Sequence, residues 1–142
     1  IDQGQNLICG YTDDPKDIYK GELPVIIFGD HTRIFKYIDF PFAVGADGTK
    51  IIQPNKEVVL PKYFYFALLS LKIRDLGYSR HYKLLKEMSI PIPPYLVQRR
   101  IASELKEKMA QVDKLCTSIE KQLEAINALP QAILRKALRG EL

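Results

Sequence analysis

Ser89-Ile90-Pro91-Ile92-Pro93-Pro94, followed by Tyr95-Leu96-Val97-Gln98-Arg99-Arg100-Ile101-Ala102, divides this chain in two. Three prolines in four positions stop whatever element precedes them. Downstream, no Gly or Pro appears until Pro130. Over that span Leu105, Val112, Ile119, Ile126 and Ile133 recur one heptad apart, Leu115 and Leu129 fill the second seam position, and Leu123 belongs to the same stripe. Sustained seven-residue spacing predicts a helix built to lie against another helix. Lys108 and Gln122 interrupt the second seam position; such polar insertions weaken a coiled coil but fix its register. The spacing predicts a helix over 97–129, about 33 residues and ~50 Å long at ~1.5 Å per residue. That is more than a body of ninety residues can cover, so a partner helix is expected for Leu105, Val112, Leu115, Ile119, Leu123, Ile126 and Leu129. After an expected break at Pro130, residues 131–139 read as a second short amphipathic helix with Arg135, Lys136 and Arg139 on a basic side and Gly140 as its stop. The expected division is residues 1–93 and 94–142.

The 142 residues are 46% hydrophobic and 27% charged, which suits one globular domain with an appendage. No apolar run approaches the ~18–20 residues that span a bilayer, and no secretory leader is visible, so no membrane partner and a cytoplasmic location are expected. The formal net charge of +4 and a pI near 9.0 favour a polyanion as partner. Cys9 and Cys116 form no CxxC pair and read as thiols rather than a disulfide.

Strand signals fill the first sixty residues. Leu23–Phe28 is an apolar run ended by Gly29-Asp30, Arg33–Phe40 mixes apolar and charged residues, and Thr49–Pro54 follows the turn Gly45-Ala46-Asp47-Gly48, read as a hairpin. Val58-Val59-Leu60 is a candidate fourth strand. Pro61 suits the first position of a helix, because its fixed φ is helical and its missing N–H is not needed there. That helix is expected to run through Ile73 and to end near Gly77. Tyr78–Lys83 reads as an aromatic and basic loop, and Lys83–Met88 leads to the proline junction. The fold class is therefore α+β: a small sheet-rich domain, then a long coiled-coil-forming helix.

Signals for catalysis are poor. Asp30 and His31 lie near a turn, but His81 is the only other histidine, and a metal needs three or four suitably spaced ligands. Gly45–Lys50 matches neither a Walker loop nor GxGxxG. No nucleophile elbow or carboxylate dyad stands out. Pro93-Pro94-Tyr95 approaches the Asn/Asp-Pro-Pro-aromatic signature of adenine methylation, but Ile92 stands where the polar residue belongs. Basic residues interleaved with aromatics at Tyr78, Arg80, His81, Tyr82 and Lys83 suit phosphate contacts and base-edge reading.

The ordered set of motifs resembles the specificity subunit of type I restriction-modification systems. Ile90-Pro91-Ile92-Pro93-Pro94 with Gln98-Arg99-Arg100-Ile101-Ala102 looks like that family's opening of a spacer helix. Gln131-Ala132-Ile133-Leu134-Arg135-Lys136-Ala137-Leu138 with Gly140-Glu141-Leu142 looks like its close. Phe28–Arg33, Asp47-Gly48 and Tyr78–Tyr82 are similar to one subset of its target-recognition domains. Val97 departs from the usual Glu, and is expected to be tolerated as an exposed residue. The resemblance implies sequence-specific recognition of one half of a bipartite double-stranded DNA target, and a non-catalytic chain with no cofactor of its own. S-adenosylmethionine, ATP and Mg would serve partner subunits, which methylate adenine and restrict unmethylated DNA. Expected partners are DNA, modification subunits, restriction subunits, and a second half or second copy paired through the long helix. Candidate DNA contacts are Thr32, Arg33, Lys50, Tyr78, Arg80, His81 and Lys83, with Arg33 and Arg80 favoured as base readers because a guanidinium bonds guanine through two parallel donors. The rivals are a coiled-coil adaptor that binds only protein, and a small nuclease.

Overall fold

A computed structural model describes residues 1–77 and 79–141; Tyr78 and Leu142 lie outside the described residues. The architecture is α+β. Strand β1 (Val25–Gly29) is the centre of a three-stranded antiparallel sheet of order β2-β1-β3, with β2 at Phe35–Ile38 and β3 at Thr49–Ile52. Every residue of β1 is buried. An unbroken apolar run of this kind belongs where both faces of a sheet are covered. Val25 and Ile27 pack with Ile1, Ile38 and Phe42 on one face; Ile26 and Phe28 pack with Phe35, Leu68 and Leu85 on the other. Each of these side chains contributes about 1.5–3 kcal/mol by leaving water.

Pairing of β3 with β1 corrects the hairpin expected at Gly45–Gly48. The turn is closed by Thr49 N–H donating to Ala46 O at 3.1 Å, but the strands on either side of it are not neighbours. Val58–Leu60 is not a fourth strand. Asn55 accepts N–H bonds from Glu57, Val58 and Val59, which winds the segment into a turn and sends Val59 into the core. Helix α1 (Pro61–Leu69) starts at Pro61 as expected but stops four residues before Ile73, where the Ser70 hydroxyl donates to Ala67 O at 2.7 Å. Helix α2 (Tyr82–Lys86) takes in Lys83, which was expected in a loop.

Helix α3 spans Tyr95–Leu138, 44 residues, or about 66 Å at ~1.5 Å per residue. It passes through Pro130 without the expected break. Pro130 leaves the Ile126 carbonyl without its helical donor, yet Ile126 and Ile133 keep the seven-residue spacing across it. The end is a Schellman cap: Gly140 adopts φ +70°, its N–H donates to Ala137 O, and Glu141 N–H donates to Lys136 O, each at 3.0 Å.

The chain forms two units, Ile1–Ala102 and Ser103–Leu142. The first two turns of α3 thus belong to the body, and Gln98 holds them there. Its side chain is 1% exposed. Oε1 accepts Leu60 N–H at 2.7 Å, while Nε2 donates to Pro93 O at 2.8 Å and Val58 O at 3.2 Å. The Oε1 contact matters because Leu60 caps α1 without a side-chain oxygen of its own. One turn later Ala102 is buried with Val59 and Tyr63. Tyr63 Oη donates to Pro91 O at 2.7 Å, tying α1 to the proline junction. Val97, expected to be exposed, is half-buried. In the second unit, from Lys106 to Leu138, every residue is exposed, and Val112, Leu115, Ile119, Leu123, Ile126 and Leu129 are each half exposed or more.

Gln98→Ala leaves Leu60 N–H unpaired in the interior and should lower the unfolding free energy by about 2–3 kcal/mol, read from denaturant unfolding. Pro130→Ala restores a donor for Ile126 O and removes a residue about 3 kcal/mol less favourable than Ala inside a helix. It should raise the helical signal by circular dichroism and the melting midpoint of α3; an unchanged midpoint would mean that this turn is already frayed.

Candidate functional site

The β1–β2 loop, residues 30–34, is a tight turn. Arg33 N–H donates to Gly29 O at 2.8 Å and Gly29 N–H to Ile34 O at 2.9 Å. Gly29 is required by space, since a Cβ there would strike Thr32 Oγ1 and stand 2.8 Å from Gln3 Cβ. Thr32 Oγ1 donates to Gln3 O at 2.6 Å, and Gln3 Oε1 accepts His31 N–H at 3.1 Å. Below this contact, Lys36 is buried and its ammonium reaches Asp2 O, Asp2 Oδ1 and Asn6 O at 2.6–3.2 Å. The Asp2 carboxyl is held below the ordinary range by the Gly4 N–H and by Lys36.

A second loop between α1 and α2, described at residues 70–77 and 79–81, is stitched onto the first. His81 is fully buried. Its N–H and its Nδ1 both stand 2.9 Å from Asp30 O, and its Nε2 accepts Leu76 N–H at 3.1 Å. With Nε2 accepting, Nδ1 is the donor to Asp30 O. Asp30, also buried, accepts Tyr82 N–H on Oδ1 at 2.8 Å, where α2 begins. His31 Nδ1 stands 3.1 Å from Ser79 O. Behind the loops, Phe28 packs on Phe35 and Tyr82, with centroids 4.9 and 6.2 Å away. The two loops therefore form one platform.

Arg33 joins the loops a third way. Nη2 meets Asp75 Oδ2 at 2.7 Å and Nη1 lies 3.4 Å from Ile73 O. Asp75 Oδ1 accepts Gly77 N–H at 2.8 Å. That bond first, and then Arg33, hold the Asp75 carboxyl below the ordinary aspartate range. Arg33 itself is unfavourable in two ways. It adopts φ +61°, which costs a non-glycine residue about 1–2 kcal/mol. Its Nε is buried with no partner, a further cost of about 1–3 kcal/mol. An exposed ion pair returns little against these.

The candidate residues thus occupy different settings. Thr32, Arg80 and Lys83 are exposed; Arg33 and Lys50 are half-buried, Lys50 lying opposite Phe28 in the β3–β1 register. His81, expected to contact DNA, instead sits in the core with both ring nitrogens committed, and positions Asp30. Tyr78 lies outside the described residues. Asp75 and Gln3 were not singled out from sequence; the only local signal was the Asp75-x-Gly77 spacing of a side-chain-closed turn. Among the described residues no group of three or more His, Cys, Asp or Glu is placed to hold a metal ion. No described helix is long and apolar enough to cross a membrane. Cys9 and Cys116 are free and exposed.

The family model for the type I restriction modification DNA specificity domain matches residues 10–128. Among curated proteins, the chain is 30% identical to the Escherichia coli type I restriction enzyme EcoR124I/EcoR124II specificity subunit, over 63% of this chain and 24% of that protein. It is 37% identical to the Escherichia coli EcoDI specificity subunit, over 42% of this chain and 14% of that one. It spans a quarter or less of the length of these relatives. No solved structure gives a significant match.

His81→Ala strands Leu76 N–H beside a cavity, while Asp30 O keeps the backbone N–H of residue 81, and should cost about 2–4 kcal/mol of stability, whereas Arg80→Ala should stay within about 0.5 kcal/mol. Thermal and denaturant unfolding of the two variants side by side measures the difference. Because the folded-state value of Asp75 is lowered, its contribution is complete above the ordinary aspartate range and is lost as pH falls through the lowered value. A carboxyl-carbon NMR titration should place the Asp75 midpoint below that of a free aspartate; an ordinary midpoint would contradict the pairing with Gly77 and Arg33.

Proposed function

This chain belongs to the type I restriction modification DNA specificity domain family, and we propose that it reads one half of a two-part double-stranded DNA target on behalf of partner subunits. The platform supports this reading most strongly. Two loops, cross-bonded through Asp30, His81 and Arg33, carry Thr32 and Arg80 outward, with Lys83 exposed on the adjoining first turn of α2 and Lys50 on the adjoining edge strand. DNA recognition needs cations for phosphates and forked or polar side chains for base edges, on a support stiff enough that ordering them costs little on binding. In this role the chain is non-catalytic. Modification subunits supply adenine methylation with S-adenosylmethionine, and restriction subunits, with ATP and Mg, cut unmethylated DNA. The stripe that begins at the half-buried Leu105 and continues exposed from Val112 to Leu129 pairs with the corresponding helix of a second half or a second copy, and helix length sets the gap between half-targets.

Phosphate contacts make binding salt-dependent. In the complex with the modification subunit, Arg80→Ala and Lys83→Ala should each weaken DNA affinity and reduce the slope of log affinity against log salt by about 1, with melting temperature unchanged. Unaltered affinity and slope in both variants would remove this platform as the DNA-facing surface and favour a protein-only adaptor.

A further inference from the structure

We infer that Arg33 and Asp75 form a guanine-reading unit, in which Asp75 positions the Arg33 guanidinium against the N7 and O6 acceptors of one guanine in the major groove. This rests on the DNA reading proposed above and assigns a single base contact within it. A guanidinium has five N–H donors. One on Nη1 is directed at Ile73 O, one on Nη2 goes to Asp75 Oδ2, and the Nε donor is buried without a partner. Two donors remain, one on each terminal nitrogen. A guanine edge presents two acceptors in the major groove, and this matched pair is the commonest specific contact between protein and base.

The geometry also fixes where the donors sit. Asp75 is anchored by Gly77 N–H, so the carboxylate that grips Nη2 is itself held. The Arg33 backbone is pinned by its bond to Gly29 O in a conformation unusual for a residue with a side chain. A long side chain fixed at both ends loses little freedom on binding, the condition for reading a base rather than grazing a phosphate. Arg80 is the contrast: it is exposed and makes no hydrogen bond or ion pair among the described residues, which suits a phosphate. The unfavourable backbone and the unpartnered Nε of Arg33 gain little in return within the free chain. Their return comes when a ligand engages the remaining donors.

The test is the methylated motif produced in cells by the full chain with its modification subunit, for the parent, Arg33→Lys and Asp75→Asn. Arg33→Lys keeps the charge and removes the fork. Asp75→Asn keeps the size and the acceptor for Gly77. Both variants should methylate the parent's motif but lose discrimination at the same guanine position by about tenfold or more. A motif unchanged at every position in both variants overturns the guanine assignment and leaves the DNA-reading role standing. A uniform fall at all sites, with a lower melting temperature and the same base preference, also overturns it and makes the pair structural. A parent chain that fixes no motif refutes the DNA-reading role, and the guanine assignment with it.

Discussion

One buried amide joins the two halves of this sequence. Gln98 lies on the first turn of a 44-residue helix, yet all three of its side-chain hydrogen bonds go to carbonyl and amide groups that precede that helix. It completes the cap of α1, closes the proline junction and fixes the start of α3 in a single contact. A buried amide with each bond made is stable; with one partner missing, it strands polar groups in the interior. The orientation of the first two turns of α3 within the body therefore depends on Gln98, with Ala102 and Tyr63 filling the space beside it.

The same economy governs the platform. Its buried polar residues, Asp30 and His81, satisfy one another and the backbone, while the cations Arg80 and Lys83 stay in water. The net charge of +4 is thus partly available at the surface. Lys36 is the exception, spent inside on residues Asp2 and Asn6. Counting cations in the sequence therefore overstates what DNA could meet.

The strands at Val25–Gly29, Phe35–Ile38 and Thr49–Ile52 were legible because apolar runs bounded by turn residues have few alternatives. Pro61 marked the start of α1, and the heptads marked α3. Other features depended on contacts distant in sequence. The order β2-β1-β3 is set by two covered faces, which no local pattern encodes. Pro130 read as a break because proline usually is one, but the stripe from Ile126 to Ile133 ran through it and a long helix tolerates one missing bond. His81 read as a loop residue that contacts DNA beside basic neighbours; its burial follows from Asp30, fifty-one residues earlier. The grip of Asp75 on Arg33 spans forty-two residues and was invisible for the same reason. Gln98 was legible as part of a motif, but not as the residue that caps another helix.

We propose that this chain reads half of a divided DNA target. Mapping methylated adenines in the DNA of cells that express the chain together with its modification subunit tests it most directly. Methylation is expected within a two-part motif of constant gap, present only when the chain is expressed; a palindromic motif would mean that two copies assemble. Methylation with no fixed gap, or none at all despite a stable complex between chain and modification subunit, would contradict it.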